Sequence, residues 1–382
     1  MFELSPEHES FRQVVRAFAE AEIAPHVAQW DREHRLPTKI VMQMGDLGLF
    51  GLVVPVEHGG SGGDFTSLCV AIEEIGRVDQ SIGVTLEAAT GLGINPILEF
   101  GTPEQKARWL PDLVAGQALA AFALTEPEAG SDAGATKTRA VLHDGTWTIN
   151  GAKSFITNSG TDVTSVITIT ARTGADEIST ILVPAGAPGL TVEPAYDKLG
   201  WHISDTHGLS FTDCEVPEEN LLGARGNGFR QFLSVLDDGR IAIAALAVGL
   251  AQGCLDASTR YARERVSFGA PIGSRQAIAF ALSDLAVSVE AARLLTYKAA
   301  WLKDSGRSRG EVKQAASIAK LYSSEAAVAA TRVATQVFGG NGFMEEFPVA
   351  RFYRDAKILE IGEGTSEVQR MVIARGLGLP VS

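Results

Sequence analysis

Thr146-Trp147-Thr148-Ile149-Asn150 and Ile167-Thr168-Ile169-Thr170 alternate apolar with polar side chains, the period of a strand with one buried face. Ser179-Thr180-Ile181-Leu182-Val183-Pro184 and Leu190-Thr191-Val192 continue the pattern, and Asn150-Gly151 and Thr173-Gly174 read as the turns between strands. Residues 120 to about 223 therefore form a β domain of ~100 residues. The texture changes on both sides. Upstream, Ser5-Pro6 and Thr102-Pro103-Glu104-Gln105 are helix starts, each with a hydroxyl cap and Pro in the first turn, the second with Gln placed to reach back. Residues 55–64, rich in Gly, punctuate between helices. Downstream of Gly226, Leu282, Leu285, Val289, Ala292 and Leu295 recur at spacings of 3 and 4, one stripe of an amphipathic helix. Residues 315–330 are Ala-rich, as in a helix packed closely on others, and Asp304-Ser305-Gly306-Arg307-Ser308 is a polar turn. Helices, then strands, then three or four long antiparallel helices make an α+β chain.

At 382 residues, 45% hydrophobic and 21% charged, the chain can bury a core in two or three domains. Its 33 Lys and Arg against 46 Asp and Glu leave a charge of −13, which argues against nucleic acid and against an anionic membrane surface. Residues 241–250, the longest kind of apolar stretch present, fall short of the ~20 that span a bilayer. The opening Met1-Phe2-Glu3-Leu4-Ser5-Pro6 resembles neither a signal nor a transit peptide, so a cytoplasmic protein is expected. Cys69, Cys214 and Cys254 lie far apart and read as buried apolar filler. No metal is expected: HExxH is missing, and His202 and His207, the near pair, read as loop residues in ordinary contact with solvent. P-loop and GxSxG motifs are missing, and the glycines of residues 223–228 have the wrong spacing for a dinucleotide fingerprint, in a loop before a helix.

Three runs carry chemistry. Leu124-Thr125-Glu126-Pro127-Glu128-Ala129-Gly130-Ser131-Asp132 offers two hydroxyls and a flexible backbone to a planar polar ligand, although an ordinary surface loop explains it equally. Gln336-Val337-Phe338-Gly339-Gly340-Asn341-Gly342-Phe343 has more glycines than a helix cap needs, which suggests close approach by a ligand or another subunit. In Ile361-Gly362-Glu363-Gly364-Thr365-Ser366-Glu367-Val368-Gln369-Arg370, glycines flank one carboxylate. A lone carboxylate in an apolar, Gly-lined cavity has a raised pKa and can take a weakly acidic proton; a solvated loop glutamate is the plain alternative. Thr365 or Ser366 would cap the helix that follows.

These runs, in order and spacing, resemble those of the acyl-CoA dehydrogenases. The resemblance extends over essentially the whole chain, including Gly51-Leu52-Val53-Val54-Pro55, Gly101-Thr102-Pro103-Glu104-Gln105-Lys106, Asn150-Gly151-Ala152-Lys153-Ser154-Phe155-Ile156-Thr157-Asn158 and Arg263-Glu264-Arg265-Val266-Ser267-Phe268-Gly269. It implies an all-α N-terminal domain (1–119), a β-barrel-like or sandwich middle domain (120–225) and a C-terminal four-helix bundle (226–382), assembled as a homotetramer, a dimer of dimers. It implies FAD as cofactor, with Phe122, Leu124, Thr125, Gly130, Ser131, Phe155, Ile156 and Thr157 around the flavin ring. Arg265, Ser267, Phe268, Gln276, Gln336, Gly339 and Gly340 would reach the FAD of a neighbouring subunit, and Thr365 and Glu367 its dinucleotide part. Asp237 and Arg240, near a helix start, would contact the CoA moiety, with Ser131 and Gly364 also at the substrate.

The implied reaction is α,β-dehydrogenation of an acyl-CoA thioester to the trans-2-enoyl-CoA. Glu363 would take the α-proton, flavin N5 the β-hydride, and an electron-transfer flavoprotein the electrons. The Glu363 N–H and a ribityl hydroxyl would hold the thioester carbonyl. One subfamily carries its base at the position of Gly239, where glycine cannot serve. Two features depart from the usual pattern: Gly362 stands where straight-chain members have Tyr, which predicts a wider acyl pocket, and His207 stands where many have Arg. Residues 85–96 would line the pocket floor, with the direction of Glu87 left open. An oxygen-using acyl-CoA oxidase and a non-catalytic CoA-thioester-binding paralogue are the alternatives; the first is usually longer, the second usually lacks the base or the FAD loop.

Overall fold

A computed structural model describes residues 4–381. Helices α1 (Pro6–Phe18), α2 (Val27–Glu33), α3 (Thr38–Asp46), α4 (Phe65–Val78), α5 (Gln80–Glu87), α6 (Asn95–Phe100) and α7 (Pro103–Val114) come first. The caps lie where hydroxyls precede Pro. Ser5 caps α1, and at α7 the Thr102 hydroxyl accepts from Gln105 N–H while the Gln105 side chain accepts from Thr102 N–H, a reciprocal box. After α5 the chain widens into a π-helical segment, Ala88–Ile94, the kind of irregularity that re-aims side chains at functional sites.

The strands are β1 (Leu119–Ala123), β2 (Arg139–His143), β3 (Thr146–Thr157), β4 (Thr164–Arg172), β5 (Ile178–Pro184), β6 (Leu190–Ala195), β7 (Thr206–Pro217) and β8 (Leu221–Leu222). They form one sheet in the order β6-β7-β3-β2-β4-β5-β8, with β1 parallel to β4. One pairing, Arg139 with Arg172, joins its two antiparallel wings. Trp147, Ile149, Leu209 and Phe211 from one wing meet Ile167, Ile169, Ile181 and Val183 from the other in a single core, so the sheet folds over itself like a barrel or sandwich.

The turn expected at Asn150-Gly151 is not there. The β2–β3 hairpin turns at Asp144-Gly145, both left-handed (φ +47° and +76°), and β3 runs on through Gly151. The register with β7 shifts at that point, and a Cβ on Gly151 would lie 2.6 Å from Thr138 Cα. The glycine marks a bulge and a close backbone approach. The other expected turn, Thr173-Gly174, does separate β4 from β5.

The last part comprises α8 (Gly228–Glu264), a small hairpin of β9 (Val266–Ser267) and β10 (Ala270–Pro271), α9 (Gln276–Asp304), α10 (Arg309–Phe338), α11 (Pro348–Ala356) and α12 (Ser366–Gly376). Helices α8, α9, α10 and α12 make the bundle, and α4 packs on α8 from the N-terminal side. The two helical parts thus share one continuous core, from Val15 to Leu359. By length and composition alone, α8 is apolar enough to cross a membrane, contrary to the shorter stretch read from sequence, but 78% of its apolar window is buried inside the protein. Residues 239–251 of this helix, all buried, need no polar face. Leu285, Val289 and Ala292 are buried and Leu282 and Leu295 partly so, the stripe expected for α9.

Candidate active site

Glu363 sits in the turn between the short helix Lys357–Glu360 and α12. It adopts a left-handed backbone (φ +51°), followed by Gly364 at +92°, a conformation that costs a non-glycine residue ~1–3 kcal/mol and persists only where surroundings impose it. Here they do. Lys320, fully buried on α10, donates from Nζ to Gly364 O at 2.8 Å. Gln369 donates to Gly364 O at 2.9 Å and to Glu363 O at 3.3 Å. Thr365, not Ser366, caps α12 by accepting from Val368 N–H. Burial pushes the Lys320 ammonium down to about 8, so the clamp is a cation held where water does not reach.

The turn aims the Glu363 carboxylate at α8. A Cβ on Gly239 would stand 2.1 Å from Oε2 and 3.0 Å from Oε1, so the carboxylate occupies the volume that any other residue at 239 would fill. Although the residue as a whole is half-buried, both its oxygens are shielded, and among the described residues neither receives a hydrogen bond from a protein donor. Burial lifts its pKa to about 7; the Glu87 carboxyl, Lys320 and Arg240 hold it from rising further. A base poised near neutrality in a dry site is suited to taking a weakly acidic proton. Glu87, whose direction the sequence left open, is 1% exposed and turns inward toward Glu363.

Asp237 and Arg240 lie in the third and fourth turns of α8, deeper than the helix start expected for them. Arg240 donates to Asp237 Oδ1 at 2.6 Å, both buried. Arg240 Nε has no partner among the described residues and remains available to a ligand.

The residues expected around a flavin ring gather where β1 and β3 end. Ser154 N–H donates to Thr125 O at 2.9 Å, which sets Thr125 beside Phe155. Phe155 is left-handed (φ +62°) and 66% exposed at that rim. A one-residue bridge, Glu126 to Ala129, closes the following turn, and Gly130 and Ser131 emerge exposed. Phe122 stacks on Phe232 of α8 at 3.8 Å. The side chain of Ile156 does not join this face: it is buried in the β core, leaving only its backbone. Asn158 Nδ2 donates to Thr85 O at 3.4 Å, and Gly93 backs onto Ala120 O, so the α5 region that carries Glu87 abuts the same rim. An exposed aromatic beside hydroxyls and free backbone fits a planar ring with polar edges.

Sequence reasoning missed what fixes this rim. Lys153 lies on the inward face of β3 and is fully enclosed; its ammonium donates to Glu126 Oε1 at 2.8 Å, Thr170 Oγ1 at 2.9 Å and Leu124 O at 3.2 Å. Glu126 in turn accepts from Lys137 N–H and Thr138 N–H. The run read as a free loop is thus pinned from below at Leu124 and Glu126. A lysine on the buried side of an alternating strand was the available signal.

At the far end of the bundle, Arg265, Phe268, Gln276, Gln336, Gly339 and Gly340 are exposed, Ser267 is half-buried, and Phe268 is 94% exposed. Asn341 Nδ2 donates to Tyr261 OH, and Tyr261 stacks on Phe338 at 4.1 Å, which brings the hairpin after α8 and the Gly-rich turn to one end. Glu367 is exposed in the first turn of α12. His202 and His207 are not ordinary solvent-facing residues: His202 bonds Lys198 O, receives Arg354 and stacks on His34 at 4.1 Å, while His207 bonds Glu193 O and Asp205. They serve separate local networks. The three cysteines are free and buried.

Comparison with known proteins agrees with this geometry. The family models for the acyl-CoA dehydrogenase N-terminal, middle and C-terminal domains match residues 5–117, 121–214 and 226–378. The chain is 48% identical over 379 residues to "Probable acyl-CoA dehydrogenase YngJ" of Bacillus subtilis, covering 98% of this chain and 99% of that one. It is 46% identical over 374 residues to the short-chain specific acyl-CoA dehydrogenase of Mus musculus mitochondria, covering 97% and 90%. The structure of butyryl-CoA dehydrogenase from Megasphaera elsdenii superposes with a TM-score of 0.95 at 40% identity, covering 99% of each chain. The chain belongs to the acyl-CoA dehydrogenase family, flavoproteins that use FAD to dehydrogenate acyl-CoA thioesters.

Proposed function

We propose that Glu363 is the base of this reaction, acting on short acyl-CoA thioesters, straight or branched. The observation that carries the proposal is the seat of the carboxylate: shielded, reached by no N–H or hydroxyl donor of Ser, Thr or Tyr among the described residues, and set against the bare backbone of Gly239. FAD, when bound, supplies the acceptor for the β-hydride. The chain's own part is to take the α-proton on a Glu363 oxygen, to hold the thioester carbonyl at the Glu363 N–H, and to exclude water. The short-chain reading is supported by the relatives named for short-chain and butyryl substrates. The tolerance for branching is supported by Gly362, where a Cβ would meet nothing closer than Ile358 O at 3.5 Å.

Thr125, Ser131, Phe155 and Thr157 suit the ring of FAD, and Arg240 the anionic part of the CoA ester. Phe268, Gln276, Gln336, Gly339 and Gly340 would meet the FAD of a neighbouring copy in a homotetramer; an aromatic ring 94% exposed in one chain is the surface such an assembly would cover. Sedimentation is expected to return a mass near four chains. The electrons are proposed to pass to an electron-transfer flavoprotein, and not to oxygen.

Anaerobic bleaching of the flavin by a panel of acyl-CoAs tests substrate and base together. Short straight and branched acyl groups are expected to bleach, with a rate that rises with pH through about 7 as the carboxyl lifted by burial deprotonates. A strict preference for one linear chain would refute the branched part, and a pH-independent rate would refute the base. Steady oxygen consumption without another acceptor would point to an oxidase instead.

A further inference from the structure

The Glu87 carboxyl has no part in the chemistry above, yet it is placed at its centre. Glu87 is the last residue of α5, where the helix widens into the π-helical segment. Gly91, against which the Glu87 carboxyl lies, and Gly239, against which the Glu363 carboxyl lies, line one cavity, so the two carboxyls converge there. Glycines back both groups: a Cβ on Gly91 would stand 3.3 Å from Glu87 Oε1, as one on Gly239 would press on Glu363. Among the described residues no donor reaches Glu87 Oε1 or either oxygen of Glu363. The nearby cations are committed elsewhere, Lys320 to Gly364 O and Arg240 to Asp237. Two carboxyls facing each other in a dry site cannot both be ionised. Among the described residues no other protein donor stands between them, so the proton that relieves the pair is one of their own.

We propose that Glu87 is a positioning residue that shares one proton with Glu363, donating its O–H to the Glu363 carboxylate to aim it and keep it ionised. The inference rests on the reading of Glu363 as the base. During turnover Glu87 keeps its proton. The α-C–H bond breaks and its proton forms a new O–H on Glu363, while the β-hydride leaves with its electron pair to the FAD of the established activity. The pair then holds two protons, and one returns to solvent before the next cycle. The electrostatics agree in direction: burial and the charge of Glu363 both lift the Glu87 carboxyl well above its usual range, so Glu87 is the neutral partner. The other charges felt by Glu363 are Lys320 from α10 and Arg240 from α8. Asp237 neutralises Arg240, and Glu360 and Glu367 act on Lys320.

The test uses the flavin-loaded enzyme and two readouts. Infrared difference spectra of wild type minus Glu87→Gln, taken a full unit above the Glu363 titration, are expected to show the carbonyl stretch of a protonated carboxyl that the variant has lost. The acid limb of the kcat/KM profile is expected to move up by ~1 pH unit or more in Glu87→Leu, which removes the donor, and to stay near wild type in Glu87→Gln, whose amide still donates. Loss of no carboxyl band, or an unmoved limb in Glu87→Leu, overturns the proposal. Glu363→Gln run alongside separates the two readings: if it still turns over, the base assignment fails, whereas a dead Glu363→Gln beside unaltered Glu87 variants sinks only the shared proton.

Discussion

Replacing Glu363 with glutamine is expected to lower turnover by ~10²–10⁴-fold, the range for loss of a positioned general base, while the protein stays folded and yellow. The reasoning is local. Among the described residues no donor other than the Glu87 carboxyl reaches either oxygen, so an amide of the same shape breaks nothing that holds the turn. The turn is fixed by main-chain carbonyls, through Lys320 and Gln369, and these are untouched. The flavin rim is built on β1 and β3, apart from the substitution. What is removed is the capacity to accept a proton near neutral pH. Flavin absorbance measured with turnover checks both halves: a variant that loses its colour would place Glu363 in cofactor binding, and one that remains active would remove it from the chemistry.

The second large effect concerns a residue that never touches substrate. Lys153→Met is expected to cost ~3–5 kcal/mol of folding stability, as when one partner of a buried ion pair is removed, and to weaken flavin retention. Glu126 would be left buried with its charge uncompensated, and Leu124 O and Thr170 Oγ1 would lose their donor. Since Leu124 and Glu126 bracket Thr125, the rim that faces the ring would loosen with them. The pH dependence has a definite sign. Burial works to raise the Glu126 carboxyl, but the charge and hydrogen bond of Lys153 outweigh it and hold the pKa below its usual value. This contribution is therefore full above the ordinary carboxylate range and is lost as pH falls through the depressed value. Burial lowers the Lys153 ammonium to about 8, so the pair also weakens above that pH. Thermal melts across acid pH, with flavin release followed in parallel, check this: a Met variant as stable as wild type and still yellow would show the pair to be dispensable.

The sequence made the helix–strand–helix order legible because each part obeys its own period, and the caps at Ser5 and Thr102 because a hydroxyl next to a helix start has few other uses; at the last helix it left Thr365 and Ser366 both open. The turn at Glu363 showed in its flanking glycines, which by themselves left a solvated loop glutamate open; its part as a base came from the family resemblance. Gly151 misled because Asn-Gly is both a hairpin signal and a bulge, and only the partner strand decides between them. The buried partners were harder. Lys153 had only the alternation of its strand to mark it as inward, and Lys320 and Glu87 lie on apolar helical stretches where nothing local says whether such a charge points inward or lies on the surface. Burial of a charge is decided by what stands opposite: Glu126 for Lys153, the Gly364 carbonyl for Lys320 and Glu363 for Glu87, all distant in sequence.

Gly239 and Glu363 bear on how such a site can change over generations. A Cβ at 239 and a carboxylate at 363 claim the same space, so the two positions are epistatic although more than a hundred residues separate them. Introducing glutamate at 239 first would crowd two acids into one seat; removing the acid at 363 first would leave none. On the proposed assignment of the base to Glu363, the first step displaces the carboxylate from its seat and the second removes it, so moving the base to α8 calls for both positions to change together.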